Sequence, residues 1–200
     1  MKFINTYFPH ILLALYLIVF VYLGINPYAR DVWYIENGPI FAIALFLTIA
    51  FIRGRRFSNM SYLLMSVLLF MHTIGGHYTF ERVPFEWFND FFGFERNMYD
   101  RVAHFTVGFY AFPLTEYLIE KKFVAKKWVG YLTGLTFIMA VAATYELVEW
   151  YYAATYGGEA GAAFLGSQGD IWDAQSDMLM DTLGGVFSLA LYGIRDLFRK

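Results

Sequence analysis

Apolar residues run without a charge from Phe3 to Ala29, and again from about Asn37 to Ile52 and from about Asn59 to Gly75. Three later runs, about Tyr99–Leu118, Trp128–Tyr151 and Asp173–Ile194, are equally apolar over most of their length but carry ionisable residues inside them. Runs of this kind approach the roughly 20 residues needed to cross a hydrocarbon core about 30 Å thick. The pattern predicts an all-α polytopic membrane protein of six transmembrane helices, forming a single domain over residues 1–200. The first run is read as a retained helix. It follows only Met1-Lys2 and ends at the turn Gly24-Ile25-Asn26-Pro27, without the basic start and small-residue cleavage site of a signal peptide.

Between the third and fourth helices, Gly76 to Met98 interleaves Phe85, Trp87, Phe88, Phe91, Phe92 and Phe94 with acids. This suits an amphipathic segment lying at the membrane interface. The small-residue stretch from Gly157 to Gly169 reads either as a loop dipping into the bundle or as a surface loop.

Composition agrees with the pattern. The chain is 58% hydrophobic and 16% charged, whereas a soluble domain usually carries about a quarter charged residues. Cysteine is absent, which excludes a disulfide framework, a thiolate metal site and a cysteine nucleophile. Net charge is −2, and the basic residues fall in short clusters with no continuous basic face, so nucleic acid is not an expected partner.

Charge placement orients the six helices. Lys2, the Arg53–Arg56 loop, Lys121–Lys127 and the C-terminal Arg195, Arg199 and Lys200 hold 11 of the 15 basic residues on one side. By the bias of Lys and Arg towards the cytoplasm, both termini are expected inside. The opposite side takes 14 of the 17 carboxylates, because only Glu116, Glu120 and Asp196 fall on the basic side.

On that acidic side the helix ends carry a constellation. Asp100 and His104 are four residues apart, Glu146 and Glu149 three, and Asp173, Asp177 and Asp181 four and eight, so each set shares a helix face. Ionised groups at membrane depth are costly, usually point inward and usually serve a function. Here carboxylates outnumber local cations, which calls for a divalent cation, a shared proton or Arg101 as compensation.

Simpler roles are weighed beside this one. His72 and His77 read equally well as interfacial polar residues, and Asp173 as a helix N-cap. Asp181 lies two turns deeper and needs a buried partner. Gly184-Gly185, like Gly130-x-x-x-Gly134, read as close-packing surfaces. The His/carboxylate set without Cys predicts a divalent metal, Zn²⁺, Mn²⁺, Fe or Mg²⁺, held by His104, Glu149, Asp177 and Asp181. Asp100 and Glu146 are the expected acid/base groups, and Arg101 the expected contact to an anionic head group.

Asp100-Arg101-x-x-His104, Glu146-x-x-Glu149 and Asp177-x-x-x-Asp181-x-x-Gly184, in this order on successive helices, resemble VanZ-like membrane proteins. Chain length, the stretch HTIGGHYTFE from His72 and QGDIWDAQSDMLMD from Gln168 resemble the YjdF-like bacterial inner-membrane proteins over nearly the whole chain. The chain departs from the VanZ-like pattern, which tends to have Gln at the place of Glu149, Asn at that of Asp181 and an Arg before the last helix. More acid and less base fits a metal or proton site.

The resemblance implies a multi-pass protein of the bacterial inner membrane with a role in the cell envelope. The expected function is metal-dependent chemistry at the outer leaflet on a lipid or lipid-linked substrate, with membrane lipids as partners. A proton- or cation-coupled transporter or flippase, and a non-enzymatic scaffold, remain alternatives.

Overall fold

The computed structural model describes residues 2–158, 165 and 167–198. They form α1 (Lys2–Leu23), α2 (Arg30–Ile52), α3 (Asn59–Tyr78), α4 (Glu86–Phe92), α5 (Tyr99–Val107), α6 (Ala111–Glu120), α7 (Lys127–Tyr156) and α8 (Asp173–Phe198), with a 3₁₀ turn at Gly108–Tyr110 joining α5 to α6. No strand occurs among the described residues.

Among the described residues four helices, against the six expected, are long and apolar enough to cross a membrane: Thr6–Leu23, Arg30–Ile52, Asn59–Tyr78 and Lys127–Thr155. The expected fourth span is broken. Pro113 has no amide to donate to the Phe109 carbonyl, and the chain tightens into the 3₁₀ turn immediately upstream. The expected sixth span, α8, covers 26 residues, but its first three turns hold Asp173, Asp177 and Asp181 and its last turn Arg195. Acidic and basic groups, rather than length, keep it from qualifying.

These two elements form the inner pair of the bundle. α8 packs on α5, the 3₁₀ turn, α6 and α7, while α3 packs on α1, α2 and α5. The closest approach is made by glycines. A β-carbon on Gly184 would collide with the Phe105 carbonyl, and one on Gly108 with the Gly184–Gly185 backbone, so the two chains touch backbone to backbone. The packing role expected of Gly184-Gly185 is met here. Gly134 is similar, with Thr115 and Ala111 where its side chain would be.

Segment ends differ from expectation most at α2, which begins at Arg30 rather than near Asn37. Seven more helical residues carry Glu36 from a presumed loop into a buried position two turns inside. The Gly76–Met98 segment contains the short α4, which exposes Trp87, Phe91 and Phe92. Of the small-residue stretch, residues 159–164 and 166 lie outside the described residues.

The polar residues separate into two layers. One gathers at the start of α2, α5 and α8 and the end of α3 and α7. The other joins the α2–α3 and α6–α7 turns to the end of α8, through Arg55 to Tyr117, Ser58 to Glu116 and Lys127 to Asp196. Between them lie the apolar clusters built on Ile40, Leu68 and Leu69, on Phe112 and Tyr192, and on Ile138 and Leu189.

Candidate functional site

At the acid-rich layer, α5 and α8 face each other across the glycine contact, which brings their polar stripes within bonding distance. His104 is the hub. Its Nδ1 lies 3.3 Å from Asp181 Oδ1, and its Nε2 lies 3.8 Å from both Asp100 Oδ1 and Asp177 Oδ1. A carboxylate only accepts, so Nδ1 donates to Asp181, and in the neutral imidazole the Nε2 lone pair would face Asp100 and Asp177. One ligand atom from each of Asp100, His104 and Asp177 falls within a sphere of mutual distances of 4.8 Å.

Of the four residues expected to hold a metal, His104 and Asp177 converge with Asp100, Asp181 lies at the other ring nitrogen of His104, and Glu149 lies on the cavity wall outside that group of three. All four are buried, and the buried partner required for Asp181 is His104.

Arg101, expected to meet a substrate head group, is instead enclosed by the protein. It donates to Asp173 Oδ1 at 2.6 Å and to Asp170 Oδ2 at 3.0 Å, and it pairs by charge with Asp177. That last pair is not aligned as a hydrogen bond, and Asp177 Oδ1 accepts none. Arg96 adds a second guanidinium to Asp170 and Asp173. The Trp172 amide, together with Arg101 and Arg96, holds the Asp170 carboxyl below the usual carboxylate range. Asp173 thus serves this clamp, with both arginines bonded to its carboxylate.

The opposite wall is α7. Glu146 and Glu149 are both 8% exposed. Glu146 Oε1 is buried without a hydrogen-bond partner, and among the described residues no hydrogen bond or ion pair is formed by Glu149. Glu146 lies within electrostatic reach of His104, Asp177, Asp181 and Asp100.

A third wall was not foreseen. Glu36 Oε2 sits 3.1 Å from His72 Nε2, and the same nitrogen lies 3.1 Å from the Glu36 carbonyl. Tyr145 donates to Glu36 at 3.4 Å. Its ring centre is 6.4 Å from that of His72 and 6.3 Å from that of His104, so Tyr145 stands between the two imidazoles. His72 belongs to the site. His77 does not: its Nδ1 donates to the Leu23 carbonyl at 2.7 Å and pins the end of α1. An acid within an apolar run was the available signal for Glu36, and it was masked by starting α2 too late.

These walls enclose a cavity of about 140 Å³ reached by Glu36, His72, Asp100, His104, Glu149 and Asp181. Among the described residues the cavity walls and the arginine clamp bring together eight carboxylates, Glu36, Asp100, Glu146, Glu149, Asp170, Asp173, Asp177 and Asp181, with Arg96, Arg101, His72 and His104. Were all eight ionised, they would outnumber the cations even with both imidazoles protonated. Such a cluster can hold a divalent cation at Asp100, His104 and Asp177, or share protons among its acids.

The family described as "Predicted membrane protein (DUF2238)" matches residues 8–196. The chain belongs to this family. It is 35% identical over 193 residues to the inner membrane protein YjdF of Escherichia coli strain K12, covering 91% of this chain and 88% of that protein. No solved structure matches. The YjdF-like resemblance is borne out, while the VanZ-like one rests on its short spaced motifs. The chain is a multi-pass membrane protein, homologous to an E. coli inner-membrane protein, with a buried His/Asp cluster.

Proposed function

We propose that this protein is a membrane-embedded, divalent-metal-dependent enzyme acting on a lipid or lipid-linked envelope substrate at the outer face of the bacterial inner membrane. Glu146 carries the proposal: its buried Oε1 accepts no hydrogen bond among the described residues, and it lies within electrostatic reach of His104, Asp177, Asp181 and Asp100, so a cation or a reacting proton would satisfy it.

Asp100, His104 and Asp177 would hold the metal, which would polarise a substrate oxygen or activate a water. Asp181 would keep His104 in the tautomer whose Nε2 faces the metal. Glu149, on the cavity wall, and Glu146 beside it are placed to take or give a proton. Arg101 and Arg96 would fix Asp177, Asp173 and Asp170 around the ligands.

Two features support the orientation. The basic layer, with Arg53, Arg55, Lys121, Lys122, Lys126 and Lys127 on its two turns, suits the cytoplasmic side. The exposed aromatics of α4 suit an interfacial position beside the site, since Phe85, at the start of α4, packs on Tyr99, at the start of α5.

The transport alternative is weakened by what separates the layers. Residues 37–52 of α2, 105–115 of α5–α6, 128–145 of α7 and 182–194 of α8 carry no charge. From Asp181 to Arg195 this gap is about 20 Å at 1.5 Å per residue, with no acidic relay along it.

The test is metal content and titration of the purified protein. After chelation, Zn²⁺, Mn²⁺, Fe²⁺ and Mg²⁺ are titrated by calorimetry into wild type and into His104→Ala and Asp100→Asn. Saturable binding of one ion by wild type, lost in both variants, is expected. A wild-type protein that binds none of them overturns the metal reading.

A further inference from the structure

The cavity has two chemically different halves. Its upper half is the titratable cluster, whereas its lower half is lined by Pro39, Ile40, Ile43, Leu68, Val107 and Val141 without a polar side chain among them. An ionic or sugar-like ligand would leave that lower half unfilled. A water-filled slot there would be equally unfavourable, since water needs several polar partners to stay in a cavity of this size.

The walls also differ in how they close. α2 packs on α3, and α7 on α6 and α8, whereas among the described residues α2 and α7, which both line the cavity, lack extensive packing and are joined at the polar end by the Tyr145–Glu36 hydrogen bond. Both are candidate membrane spans. On either side of the gap they present apolar side chains to the surroundings: Phe41 and Phe46 from α2, Met139 and Val148 from α7. Val141 lines the cavity while remaining 38% exposed, and Ile43 is half-buried on the facing helix. With both helices read as membrane spans, an opening between them would give onto the hydrocarbon layer rather than onto water.

We infer that the cleft between α2 and α7 is a lateral portal for one hydrocarbon chain of a membrane lipid, which lies along Ile40, Ile43, Leu68 and Val141 with its polar end at His104 and Glu149. This rests on the reading of the upper half as the reacting site and names how its substrate reaches it. The chain fills the apolar half with matched surface. Its length then fixes the head group at the depth of the His104 cluster, so positioning costs no polar contact in the bilayer core. The substrate class is a lipid that keeps its tail in the membrane while its head reacts, and a soluble envelope metabolite is excluded.

The absence of cysteine makes a reversible test available. Val141→Cys and Ile43→Cys proteins are placed in nanodiscs of phosphatidylethanolamine and phosphatidylglycerol doped with phosphatidylglycerol bearing a diazirine at the acyl chain end. Photolabelling is mapped by mass spectrometry before and after the thiol is blocked with a bulky methanethiosulfonate, and again after reduction. The expected result is labelling on the residues lining the lower half. It falls about tenfold on blocking, equivalent to about 1.4 kcal/mol, and returns on reduction. Recovery shows that the fold was intact throughout.

Leu147→Cys, on the lipid-facing side of α7, should show no such dependence. Labelling confined to outward-facing positions, or labelling of the lower half unaffected by blocking either thiol, overturns the portal. Metal titration on the same samples separates the two proposals. Labelling of the lower half with no metal bound leaves the portal standing and removes the metal centre; metal bound without such labelling does the reverse.

Discussion

At the basic end of the bundle, Glu116 is as deeply buried as any acid at the other end, yet its surroundings answer it group by group. Ser58 and Ser61 donate hydroxyls to Oε2 at 2.9 and 2.5 Å, and Oε1, which accepts no hydrogen bond, is paired by charge with Arg195. Arg195 also lies over the rings of Phe112 and Tyr192 and reaches Glu120. At the acidic end, Glu146 and Glu149 are also buried, and among the described residues neither has an ion-pair partner. Burial alone does not separate the two ends, but satisfaction does. A paired buried acid is a fastener between helices. An unpaired one is retained at a cost to stability, and function is the ordinary reason for keeping such a group.

This contrast is exposed to direct attack. The largest effect is expected from Glu116→Ala, which strips Arg195 and two serines of their common acceptor. Loss of a buried partner costs about 3 kcal/mol, read as a lower Tm in detergent with no change in metal binding. A Tm within error of wild type would remove the fastener reading. Next comes Gly184→Ala, where a methyl group meets the Phe105 carbonyl. Overpacking costs about 2 kcal/mol, and because the same contact aligns α5 with α8, this variant should lose both thermal stability and metal affinity.

Asp181→Asn separates orientation from ligation. Replacing a carboxylate behind a metal-bound imidazole typically weakens affinity by about 10–100-fold, so binding should persist but weaken, whereas His104→Ala should abolish it. Equal loss in the two variants would make Asp181 a ligand, as its spacing first suggested. The smallest change is expected from Glu149→Gln. It replaces a buried acid that no ion pair holds with a neutral isostere, and the Tm of the metal-free protein should match or exceed that of wild type. A decrease in Tm would show that Glu149 already has a stabilising partner, and the comparison between the ends would fail there.

Much of this was present in the linear pattern, and the omissions have physical causes. The helix-face spacing of Asp100 and His104, and of Asp177 and Asp181, predicted stripes that do meet, because side chains three and four residues apart share a face whatever the tertiary context. The span count was less successful. Apolarity measured along the chain could not show that Tyr99–Glu120 breaks at a 3₁₀ turn, a consequence of Pro113. Glu36 was lost to a boundary error of seven residues, and Tyr145 to the sheer number of aromatics, most of which have no polar task.

The sequence by itself determined membrane residence, the all-helical class, the two charge layers and the face on which each acid lies, since these follow from local periodicity and transfer free energy. Only the tertiary structure decided which acids are paired. Whether Arg101 meets a ligand or Asp173, whether Asp181 binds a metal or steadies His104, and whether a cleft stays open between α2 and α7 all depend on distances between helices. Those distances are set by packing such as the Gly108–Gly184 contact, which no spacing along a single helix can report.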